Sequence, residues 1–70
     1  MESDPRIRKS LHQINNDLSI ASMRLELITI KLQREPESPL REELLQSCAD
    51  ALDAVKRAGQ IANQTLHQSP

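Results

Sequence analysis

The apolar residues of this chain fall into two periodic runs separated by a short polar stretch that carries two prolines. The first run is Ile7, Leu11, Ile14, Leu18, Ala21, Leu25, Ile28 and Leu32, with spacings that alternate between 4 and 3. A period of 3.5 residues sustained over more than 3 heptads predicts an α-helix with one apolar seam. The second run, Leu45, Cys48, Leu52, Val55, Gly59, Ala62 and Leu66, alternates between 3 and 4. Leu44, Ala51 and Ala58 widen that second face, and its small residues allow a neighbouring backbone to come close.

Capping signals set the boundaries. Asp4-Pro5 reads as an N-cap followed by proline at the first helical position, and Ser38-Pro39 repeats the signal. Glu42 and Glu43 lie near the second helix start, where acidic residues complement the helix dipole. Pro36 stops the first helix, because the residue before a proline is pushed out of helical geometry. The prediction is one all-α domain over residues 1–70, with a helix over about 5–34, a loop over about 35–38 and a helix over about 39–67. A connection this short makes the helices antiparallel neighbours, a two-helix hairpin.

One hairpin cannot cover both faces, since each helix shields one side of the other and leaves an apolar flank. A chain of 70 residues also has a small core, and such folds add disulfides, a metal or a partner subunit. Cys48 is the only cysteine, so no internal disulfide forms, and one cysteine with two distant histidines makes no zinc site. Two hairpins paired as a homodimer close a four-helix bundle, which is the expected assembly. A monomeric extended hairpin, or pairing with a different chain, stays open at this point.

Composition narrows the partners. There are no aromatic residues and the formal net charge is −1, with both signs interspersed. Neither a basic footprint nor a stacking platform for nucleic acid is present. No apolar run approaches the roughly 20 residues that cross a bilayer, and no apolar signal core opens the chain. No nucleic acid, no membrane, no cofactor and a cytoplasmic setting are expected.

Chemistry is sought off the main seam. At 100° per residue, Arg8, His12, Asn15, Asn16 and Ser19 share a polar face of the first helix. His12 points about 130° from the centre of the Leu11/Ile14 seam and should be exposed. A neutral imidazole nitrogen is a competent nucleophile toward phosphorus. Asn16 could hydrogen-bond a phosphoryl oxygen or a water, and Arg8 could offset phosphate charge. Read alone, a helix-surface histidine is most often only that. His67, in the last turn, reads as a helix-end histidine that interacts with the dipole.

The string His12-Gln13-Ile14-Asn15-Asn16-Asp17-Leu18 resembles the phosphoacceptor box of sensor histidine kinases. The stretch from Ala49 to Ala58, alanine-rich with Arg57 inside it, is similar to the second helix of those domains. The resemblance implies a helical hairpin that dimerises into a four-helix bundle, with His12 as phosphoacceptor. It also implies that Asn16 positions water or the phosphoryl group during dephosphorylation of a response-regulator receiver domain. The family usually places an acid directly after the histidine, where this chain has Gln13. An amide cannot accept a proton, so Gln13 departs from the pattern at the position of the general base. Nor is there room for an ATP-binding domain or a Gly-rich phosphate loop: Gly59 is the only glycine.

A second apolar stripe, Ile20, Met23, Leu27 and Ile30, lies nearly opposite the seam of the first helix. It either docks a partner, which the resemblance implies is a receiver domain, or it widens the core or serves a higher oligomer. Three functions are open on the sequence. One is a phosphotransfer module acting at His12. Another is a regulatory mimic that occupies a receiver or a kinase ATP-binding domain. The third is a purely structural dimerisation bundle.

Overall fold

The computed structural model describes residues 4–67, with side chains through Leu66. The chain is an all-α hairpin of two helices, α1 (Pro5–Gln33) and α2 (Pro39–His67), packed against each other. The side chain of His67 lies outside the described residues.

Each helix begins where its cap supplies an acceptor. The Asp4 carboxylate accepts the Arg6 backbone N–H at 2.9 Å, and the Arg6 guanidinium lies 3.2 Å from the same carboxylate. These bonds, the backbone one foremost, hold the Asp4 carboxyl below its ordinary pKa. At α2 the Ser38 hydroxyl accepts the Arg41 backbone N–H at 3.0 Å. α1 ends at Gln33, one residue before the predicted end. Its last turn tightens into i→i−3 bonds, from Arg34 N–H to the Lys31 carbonyl at 3.2 Å and from Glu35 N–H to the Leu32 carbonyl at 3.1 Å.

Arg41 ties the two helices together beside the loop. Its side chain is only 16% exposed, although it is charged. Its Nε donates to the Leu32 carbonyl at 3.0 Å, and Glu37 and Glu42 lie 3.8 and 3.7 Å from the guanidinium. The Leu32 carbonyl thus accepts two bonds, one from the Glu35 N–H and one from Arg41.

The seam of α2 is the predicted one. Leu45, Cys48, Leu52, Val55, Gly59, Ala62 and Leu66 are all buried or half-buried, and Arg41 continues the same row. The seam of α1 is rotated relative to the prediction. Its half-buried row is Leu11, Asn15, Leu18, Ser22, Leu25, Thr29 and Leu32, with Ala21, predicted in the seam, half-buried beside it. Ile7, Ile14 and Ile28, predicted in the seam, are instead 54%, 46% and 46% exposed. One partner helix covers one stripe. Here that stripe runs between the leucine column and the column of Asn15, Ser22 and Thr29, whose small side chains let α2 approach. Asn15 bonds across the seam, and the Thr29 hydroxyl donates to the Leu25 carbonyl at 2.9 Å.

In heptad letters, Asn15, Ser22 and Thr29 take position a of α1, the leucines take d, and Ile7, Ile14, Ala21 and Ile28 take g. On α2 the matching g row is Leu44, Ala51 and Ala58. Antiparallel helices bring their g rows to the same side of the seam and their e rows to the other. One flank of the hairpin is therefore aliphatic. The opposite flank carries His12, Ser19, Glu26, Lys56 and Asn63.

The core between the helices is thin. Among the described residues only Cys48 and Ala62 are buried. The hairpin spans 55 × 14 × 11 Å and has a radius of gyration of 16.1 Å, against roughly 11 Å for a compact domain of this length. Its accessible surface is 5683 Å². A compact monomer of 7.9 kDa would expose roughly 4400 Å².

Candidate functional site

His12 stands in the third turn of α1 at an e position, exposed, on the polar flank. It borders an open groove of about 360 Å³ together with Arg8, Asn15, Asn63 and Leu66. The groove lies at the end of the hairpin away from the loop. There the first turns of α1 run beside the last turns of α2. The N-terminal dipole of α1 and the C-terminal dipole of α2 oppose one another at this end, and among the described residues Arg8 brings the permanent charge to the groove.

The polar face expected from the sequence divides in two. Asn15 borders the groove only at its inner edge and turns into the seam, half-buried, whereas His12 stands exposed. Its amide nitrogen donates to the Asn63 side-chain oxygen at 2.9 Å. The rotated seam is the cause, since it places position 15 on the line between the helices. Asn16 stays exposed, one turn beyond His12, and does not line the groove. Gln13 is also exposed, and its amide donates to the Asp17 carboxylate at 3.2 Å. That bond runs along the outer surface of α1, one turn onward.

Asn63 was not singled out by sequence reasoning. Periodicity puts it one residue after Ala62, at the edge of the α2 seam, and nothing local distinguishes it from a solvated amide. Only the pairing of the two helices brings it against Asn15 and beside His12.

The second stripe keeps clear of the hairpin interior. Ile20 is 53%, Met23 55%, Leu27 46% and Ile30 46% exposed. Met23 alone of the four reaches a second groove on the polar flank, with Ser19, Glu26, Lys56 and Gly59. The reading in which these residues widen the core of a single hairpin is thereby set aside.

Among the described residues no three His, Cys, Asp or Glu side chains cluster in a way that could hold a metal ion. Among the same residues no helix is long and apolar enough to cross a membrane. Comparison with protein-family models, with curated proteins and with solved structures finds no match for this chain.

Proposed function

We propose that this chain is a two-component signalling module of the cytoplasm. In this reading two copies pair into a four-helix bundle, and His12 accepts a phosphoryl group from, or passes one to, a receiver domain. The observation that carries the reading is the division of the hairpin into unlike flanks. His12 is exposed on the polar flank beside Arg8, while the aliphatic flank of Ile7, Ile14, Ala21, Ile28, Leu44 and Ala51 lies on the other side of the seam. Pairing through the aliphatic flank leaves His12 accessible. The excess surface of roughly 1300 Å² over a compact monomer supports a second copy as the occupant, because it is in the range that a stable interface covers on each partner.

The stripe of Ile20, Met23, Leu27 and Ile30 then faces outward, on the far side of α1 from both the seam and the pairing flank. It serves as the docking strip for the receiver domain, below the phosphoacceptor. The 70 residues of the chain carry no Gly-rich phosphate loop, so in this reading the phosphoryl group comes from a donor outside them.

The test is direct. The chain is incubated with a phosphorylated receiver domain, and acid-labile, base-stable phosphate is sought on His12. Label that is lost in His12→Gln supports the reading, and label that persists in that variant overturns it.

Gln13 favours a second reading. With an amide bonded to Asp17 where a general base would stand, the bundle would occupy a receiver or a kinase ATP-binding domain without turnover. In that case His12→Ala leaves partner binding unchanged, while Leu27→Glu abolishes it. Titration calorimetry with a receiver domain separates the two readings.

A further inference from the structure

We propose that Asn63, braced by Asn15, is a positioning residue that holds the phosphoryl oxygens over His12. The inference rests on the reading of His12 as phosphoacceptor and adds to it a residue from the other helix. Three observations support it. First, His12, Arg8, Asn15 and Asn63 border one open groove. Second, the two asparagine side chains are joined at 2.9 Å, a single bond that occupies one N–H donor and one oxygen. Two primary amides carry four N–H donors between them, so three are left whichever amide donates. Third, Asn63 is exposed while Asn15 is half-buried, so the free N–H groups on Asn63 are the ones the groove can use.

The bond to Asn15 does more than satisfy a seam residue. It restrains the Asn63 amide, which lies between this groove and the one that Ser19, Met23 and Lys56 border. Arg8 and Asn63 thus bring N–H groups to a groove that no carboxylate among the described residues borders. Such an array suits a tetrahedral oxyanion carried on the histidine. Gln13 and its bond to Asp17 lie on the outer surface of α1 and do not border this groove.

A ring nitrogen of His12 attacks phosphorus with its lone pair. The bond from phosphorus to the leaving group breaks, and the leaving group departs with that electron pair. The proton on the other ring nitrogen passes to water. With phosphoramidate as donor the leaving group is ammonia. Asn63 and Arg8 hold the three phosphoryl oxygens throughout and exchange no proton.

The experiment uses the whole chain and phosphoramidate, with phosphohistidine followed by phosphorus NMR. Asn63→Ala should slow labelling of His12 about tenfold, the size of one hydrogen bond to a charged group. Asn63→Asp is the sharper variant, because it keeps an acceptor for the Asn15 amide but removes both donors and adds a negative charge. A purely structural role predicts that Asn63→Asp labels like the wild type. A positioning role predicts that it labels more slowly than Asn63→Ala, and that Asn63→Gln recovers part of the rate.

Wild-type labelling with unchanged rates in Asn63→Ala and Asn63→Asp overturns the role of Asn63 and leaves His12 standing. No label on the wild type with either phosphoramidate or a phosphorylated receiver overturns both. Should the variants fail to fold by circular dichroism, the wild type answers alone. The Asn63 side-chain amide proton signals must shift when His12 is phosphorylated, and signals that stay in place overturn the inference.

Discussion

Gly59 shows how much one residue says about what surrounds it. A glycine inside a helix destabilises it by about 1 kcal/mol relative to alanine, so a close neighbour is the usual reason for its presence. The hairpin offers none. A Cβ built on Gly59 would meet the Leu18 side chain at 4.0 Å, an ordinary contact. Gly59→Ala should therefore stabilise the hairpin by up to about 1 kcal/mol and raise the thermal midpoint by a few degrees in circular dichroism. A lower midpoint would mean that something packs closer to this position than Leu18 does. Gly59 also borders the groove that Met23, Glu26 and Lys56 share, so a methyl group there narrows the polar flank and leaves the aliphatic one alone.

Among the elements, the two helix starts were legible in the sequence because caps act locally. Asp4-Pro5 and Ser38-Pro39 each satisfy an orphan N–H within three residues, and the helices begin where those pairs stand. The α2 seam was legible for a related reason: its apolar row contains no polar competitor. The α1 seam was not, because the row of Ile7, Ile14, Ala21 and Ile28 and the row of Asn15, Ser22 and Thr29 flank the same leucines. Hydrophobicity chooses the first row, whereas the hairpin packs on the second. Asn63 and Arg41 escaped for a third reason, since both act between helices and neither has a signature along the chain.

Two predictions follow at this scale. Asp4 has its carboxyl lowered by its bonds to Arg6, from an ordinary value of 3.8. A lowered folded pKa contributes stability that is full above the ordinary value and lost as pH falls through the folded one. The first turn of α1 should accordingly fray in acid, below about pH 4, seen as faster amide exchange at Arg6 and Arg8. Asp4→Asn, which caps but does not titrate, should lose that acid step. Arg41→Met keeps the aliphatic stem over the turn and removes the donor to Leu32. It should cost about 1–2 kcal/mol in chemical denaturation, most of it from the carbonyl bond. The ion pairs to Glu37 and Glu42 add little, because those carboxylates are 89% and 64% exposed and their charges are screened by water.

The whole molecule has too little interior for its surface, and this bears on which of its two apolar stripes would close the proposed bundle. The aliphatic flank draws on both helices and runs from Ile7 to Ile28 along α1, so a second hairpin laid against it meets two helices at once. The stripe of Ile20, Met23, Leu27 and Ile30 belongs to α1 alone and lies within its C-terminal half. A four-helix core needs the former. The chain should therefore sediment as a dimer, with a thermal midpoint that rises with concentration. Ile14→Glu or Ile28→Glu buries a charge at the proposed interface and should yield a monomer of much lower midpoint. Leu27→Glu changes an outward position and should leave the dimer intact while weakening a bound receiver domain. The reverse pattern, with Leu27→Glu dissociating and Ile14→Glu dimeric, would move the pairing face to the other side of α1, leaving the aliphatic flank uncovered.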